Sequence, residues 1–173
     1  MQIITHIAIT GLKPHQSSIV EIQCICINDS NQIIDTFSLH TKPNPNPKTV
    51  IDNDFLDKVG IQRSDLEFHK DFKEGFESFR DFLEKYKEQR PILVVWNKLY
   101  VDFLVNYCKQ NNLLLENYVN KSTIDLLSLW TFYLKGNELE CYTLESICDY
   151  FNIPFHLELI HKVKILYTLY CKL

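Results

Sequence analysis

An apolar run from Ile3 to Ile9, stopped by Thr10-Gly11-Leu12-Lys13-Pro14, constrains this chain more than any other stretch. It is too short for an ordinary helix, dominated by isoleucine and closed by a glycine, and so reads as a buried strand that turns sharply at its C-terminal end. Such a strand needs partners on both edges and cover on both faces. In sheets that alternate with helices, sites collect at the carboxyl ends of strands like this one.

The following residues supply the partners. Ile19 to Ile27 is rich in β-branched residues, and Asn28-Asp29-Ser30-Asn31 separates it from a second extended run, Gln32 to Thr41. Two runs joined by turn-forming residues read as an antiparallel hairpin, which with the first strand makes a three-stranded meander. Pro43-Asn44-Pro45-Asn46-Pro47 cannot donate a regular ladder of hydrogen bonds and leaves the sheet as an extended loop crossing the rim of any site.

From Asp71 the period changes. Phe72, Phe76, Phe79, Phe82 and Tyr86 recur at helical spacing, Asp71 and Glu74 suit a capping box, and Pro91 ends the segment. The aromatic stripe reads as core packing. Pro91 to Trp96 is a short strand, Leu99 to Gln110 a second helix, and Thr123 to Leu127 a strand-to-helix transition leading towards Leu134, with Gly136 as its stop. Thr143 caps a short helix to Phe151, and a final helical segment runs from His156 to Leu173.

This order predicts one α/β domain over 1–173, a mixed sheet flanked by helices, and 173 residues at 46% hydrophobic suffice for its core. The formal net charge is -4, so any nucleic-acid binding must come from a local groove rather than an overall basic field. Cysteines 24, 26, 108, 141, 148 and 171 show no zinc spacing, and Cys24 and Cys26 read as small apolar fillers on one strand face. With no leader-like N-terminus and no membrane-length apolar run, the expectation is a reducing, cytoplasmic compartment without a membrane partner.

Thr5-His6-Ile7-Ala8-Ile9-Thr10-Gly11-Leu12 resembles the first motif of the DEDDh 3'-5' exonucleases, the RNase T and polymerase-proofreading family, which carries Asp-x-Glu-Thr-Thr-Gly-Leu there. Val59-Gly60-Ile61-Gln62 resembles the family's His-Gly-Ile-Thr connector, and Val95-Trp96-Asn97-Lys98-Leu99-Tyr100-Val101 its second motif, Ala-His-Asn-Ala-x-Phe-Asp. Thr123-Ile124-Asp125-Leu126 and Tyr142-Thr143-Leu144-Glu145-Ser146-Ile147 are similar to the stretches before the third motif. That motif, His-x-Ala-x-x-Asp-Ala, is met here by His156-Leu157-Glu158-Leu159-Ile160-His161-Lys162. The resemblance implies the ribonuclease H-like fold, a mixed five-stranded sheet flanked by helices.

It also implies what is missing. The family uses two Mg2+ or Mn2+ ions, held about 3.5 to 4 Å apart by carboxylates, to hydrolyse a phosphodiester. At the four acidic positions this chain carries His6, Ala8, Val101 and His161. His156 matches the general-base histidine, but without metal-bound water a general base contributes only about 10²- to 10⁴-fold. The expectation is a catalytically degenerate exonuclease domain with no catalytic residues and no cofactor, kept as a protein-interaction or nucleic-acid-binding module in DNA or RNA metabolism.

The resemblance permits an unidentified protein partner, a homodimer or a single strand lying in the cleft against Lys13, Trp96, Tyr100, Lys162 and Lys164. The alternative is an active 3'-5' exonuclease on single-stranded DNA or RNA whose remodelled metal site uses His6, His156 and His161 to bind Zn2+ or Mn2+. Asp102, beside Val101, and the carboxylates of Glu21, Asp125 and Glu158 are the other ligands considered.

Overall fold

The computed structural model describes residues 1–135, 139, 141–155 and 159–173. Three strands open it: β1 (Gln2–Ile9), β2 (Ile19–Ile27) and β3 (Ile33–His40). Next come α1 (Asn53–Val59), α2 (Phe72–Glu84), β4 (Ile92–Val95), α3 (Leu99–Gln110), β5 (Thr123–Asp125), α4 (Leu126–Tyr133), α5 (Leu144–Tyr150) and α6 (Leu159–Tyr170).

The sheet is five-stranded and mixed, in the order β3-β2-β1-β4-β5. β1 and β2, and β2 and β3, pair antiparallel, while β1–β4 and β4–β5 are parallel. The meander and the ribonuclease H-like α/β class are therefore as expected. β1 is central, and alternation sends its side chains to two different layers. Ile3, Ile7 and Ile9 join Cys24, Cys26, Phe76, Phe79, Phe103 and Tyr107 under α2 and α3. Ile4 joins Ile25, Ile27, Val94, Trp130, Ile147, Leu166 and Leu169 under α4, α5 and α6.

Local differences from the sequence reading have physical causes. Asp71 stands at the α2 N-cap but makes no cap hydrogen bond, and its carboxylate accepts one from Lys42 Nζ at 3.0 Å. Thr143 and Ser146 do form the reciprocal capping box of α5. α1, not expected as a helix, is started by Asp52, whose side chain accepts from Phe55 N, and is ended by Gly60 in the left-handed region at φ 81°. Gly136 and the start of the last segment at His156 lie outside the described residues.

Candidate functional site

The site is built on the sheet face under α6. There Ala8, Glu21 and His40 form one row across β1, β2 and β3, His6, Gln23 and Ser38 the next, and Ile4, Ile25 and Thr36 a third. The face thus turns from apolar to polar towards the carboxyl end of β1. Beyond that end the chain is riveted by Thr10. Its hydroxyl donates to Val50 O at 2.8 Å and accepts from Ser18 N at 2.9 Å. Gly11 packs so tightly that a Cβ would come within 2.8 Å of Ser17 Oγ. The next residue, Leu12, is 63% exposed.

His6 is buried, and its ring meets Tyr100 edge-on with centroids 5.7 Å apart. Its Nδ1 has no hydrogen-bond partner among the described residues. Burial, assisted by the charge of Lys162, pushes the imidazole down to about 3, so it is neutral at physiological pH. Glu21 is buried as well. Its Oε1 accepts from Gln23 Nε2 at 2.5 Å and lies 3.4 Å from His40 Nε2. Burial raises its carboxyl above the usual range, while His40, the Gln23 hydrogen bond and Lys162 work against that rise. Lys162 of α6 is only 7% exposed. Burial lowers its ammonium and Glu21 opposes the drop.

Ala8 sits in an apolar pocket formed by Val20, Leu56, Ile61 and Leu66, with Ile51 and Val59 at its margin. The connector that resembles His-Gly-Ile-Thr therefore closes over this position with side chains that cannot coordinate. Val101 is half-buried and lines a groove of about 250 Å³ with Leu93, Val105, Leu115 and Val119. Asp102 is exposed on the first turn of α3. Asp125 is structural: its Oδ1 accepts from Ser128 N at 3.0 Å, capping α4, and its Oδ2 from Lys98 N at 3.2 Å. His161 is half-buried on α6, and His156 and Glu158 lie outside the described residues. Among the described residues, no group of three or more His, Cys, Asp or Glu side chains is placed to hold a metal ion.

The residues expected to meet a nucleic acid divide. Lys13 and Lys164 are exposed. Trp96 is 9% exposed, packed in the layer of Leu126 and Trp130, and Tyr100 is half-buried against both layers. In the proline loop Asn44 N donates to Ser18 Oγ at 2.9 Å, and a cavity of about 630 Å³ beside the loop is lined by Lys42, Asp71, Lys73 and Gln110. Sequence reading missed Gln23 and His40 altogether, and missed that Lys162 turns inward. One signal was available: Glu21 and Gln23 are polar residues two apart in an otherwise apolar strand, which places both on one face.

Residues 9–162 match the family model RNase_T, described as exonuclease. Similar solved structures include E. coli exonuclease I with single-stranded DNA in its zinc-bound form, at TM-score 0.80 and 11% identity over 96% of this chain and 39% of that one. The metal-free form of the same complex gives 0.78 and 12%, over 96% and 38%. Exonuclease I with SSB and an inhibitor gives 0.75 and 11%, over 98% and 41%. The chain thus spans about two fifths of the length of these structures, and at such identity the likeness is one of fold. No curated protein matches the chain by sequence. Among the described residues, no helix is long and apolar enough to cross a membrane.

Proposed function

Because the chain belongs to the RNase T exonuclease family, we propose that it is a catalytically degenerate 3'-5' exonuclease domain, retained as a binding module in DNA or RNA metabolism, with a protein partner as its first role and a single strand as its second. The observation that carries the reading is the packing of Ala8, a family carboxylate position, among Val20, Leu56, Ile61 and Leu66. A metal ligand cannot be supplied from that pocket. The partner position on β1, His6, offers a buried imidazole that is neutral at physiological pH.

This donor set does not fit two hard divalent ions, which require several converging oxygen ligands. The neutral state of His6 favours the alternative, since only unprotonated imidazole binds Zn2+ or Mn2+. The six cysteines, all free, support a reducing compartment.

The test is degradation of labelled single-stranded DNA and RNA by purified protein with Mg2+, Mn2+ or Zn2+, beside the His156→Ala/His161→Ala variant. No metal-dependent trimming is expected from either protein. Trimming that disappears in the variant would establish an active enzyme with a histidine-built site and overturn the proposal.

A further inference from the structure

The helix α4 carries no charged residue, and it is apolar on two sides. Leu126, Trp130 and, just past the helix, Leu134 form the inward side and are buried in the layer beneath it. Leu129, Phe132 and Tyr133, spaced three and four residues apart, share another side, and all three are exposed. A helix that is apolar all round belongs in an interior, whereas this one turns an aromatic side to water.

Rings link that side to the end of α5. Tyr133 meets Trp130 with centroids 5.6 Å apart, Trp130 meets Phe151 at 4.9 Å, and Phe151 meets Tyr150 at 5.0 Å. Phe132 is 80% exposed, Tyr133 69% and Tyr150 45%. At about 200 Å² per aromatic side chain, these three leave about 400 Å² of apolar surface to water, and Leu129 adds to it. A standard interface buries about 800 Å² on each partner, somewhat over half of it apolar. The exposed side of α4 thus provides most of the apolar surface that one subunit of a two-fold dimer needs.

Deepening the reading of a protein-binding module, on which it rests for its role, we propose that the partner is a second copy of this chain. The two copies meet through Leu129, Phe132 and Tyr133 of α4, with Tyr150 at the margin. Phe132 is the most exposed of these residues, and a large aromatic at the centre of a contact is its usual anchor.

Charge fits the same arrangement. Lys135 is exposed just beyond the C-terminal end of α4, and Asp125 caps the N-terminal end. A two-fold axis across the helix allows an antiparallel contact, which brings the lysine end of each copy to the aspartate end of the other. A parallel contact would oppose like charges at both ends.

The test is the mass of the full chain in solution, measured by sedimentation velocity across a concentration series. Wild type is compared with Phe132→Asp, with Tyr133→Lys as an independent second variant, and with Phe68→Asp, which places the same charge on an exposed phenylalanine between α1 and α2. Wild type and Phe68→Asp are expected to be dimers that dissociate together on dilution. Phe132→Asp and Tyr133→Lys are each expected to weaken association by about 100-fold or more. Their melting temperatures should match that of the dilute, monomeric wild type, because both residues face water in one copy.

A wild-type chain that is monomeric at every concentration would overturn the proposal and leave this side of α4 to a different protein. A dimer that neither α4 variant weakens would overturn it as well, since the copies would then meet elsewhere. Metal-dependent trimming by the wild-type protein would instead refute the degenerate-site reading, and leaves the mass measurement unaffected.

Discussion

Glu21 of β2 lies directly opposite Ala8 of β1 in the antiparallel ladder. Side chains so paired stand about 4.5 to 5.5 Å apart at their Cβ atoms. The sheet face under α6 thus carries a buried carboxylate on β2 directly beside the position that Ala8 occupies on β1. There it is held by His40 and Gln23, side chains that a β1 residue at Ala8 would not meet in the same way.

The buried imidazole makes stability depend on acid. The unfolded chain binds a proton at His6 near 6.5, whereas the folded chain resists it down to about 3. In that window the unfolded state holds more protons, so this contribution is complete above 6.5 and is lost as the pH falls towards 3. At about 1.4 kcal/mol per unit, the loss reaches about 5 kcal/mol across the window. Denaturant titrations at several pH values should show a shallower acid slope for His6→Gln than for wild type. Parallel slopes would show that His6 is not the group responsible.

Gly75 faces a close approach of α2 to the sheet. A Cβ there would lie 2.5 Å from Thr41 Oγ1 and 2.7 Å from its Cβ, and Thr41 is fully buried. Helix propensity alone would make Gly75→Ala stabilising by about 1 kcal/mol. Overpacking against a buried neighbour costs about 1 to 3 kcal/mol and should win. Urea unfolding is expected to show net destabilisation, and a stabilised variant would mean that α2 shifts freely.

Surface and core separate the lysines from the tryptophan. If a single strand binds through these lysines, Lys13→Ala and Lys164→Ala should each weaken binding and lower the salt slope by about one unit. Both residues are exposed, so stability should change little. Trp96→Ala opens a cavity in the layer beneath α4 and should cost about 3 to 5 kcal/mol of stability. Fluorescence anisotropy across salt concentrations, read beside thermal melts, distinguishes the two effects.

The regular elements were largely legible because their signals are local. Alternation and β-branching mark β1 and β2, the phenylalanine stripe marks α2, and Thr143 with Ser146 marks the start of α5. His6 and Ala8, at the positions that resemble the family's acidic ones, could be read directly. What fills the space they leave could not, because it depends on elements distant in sequence: Leu56 and Leu66 around Ala8, and Lys162 turning in from α6. Asp71, read as a cap, instead meets Lys42 from the loop after β3, a contact that its own neighbourhood does not announce.

The two faces of β1 are covered by parts of the chain made at different times. α2 and α3 complete one layer early, but Ile4, Ile25, Ile27 and Val94 need Val163, Leu166 and Leu169 of α6, whose Tyr167 hydroxyl also donates to Asn31 O in the hairpin turn at 3.0 Å. A nascent chain carries the meander with that face only partly covered, by α4 and α5, until α6 is made. During synthesis it is a sticky, half-finished sheet, and a translational pause before α6 would lengthen the period in which chaperones must shield it.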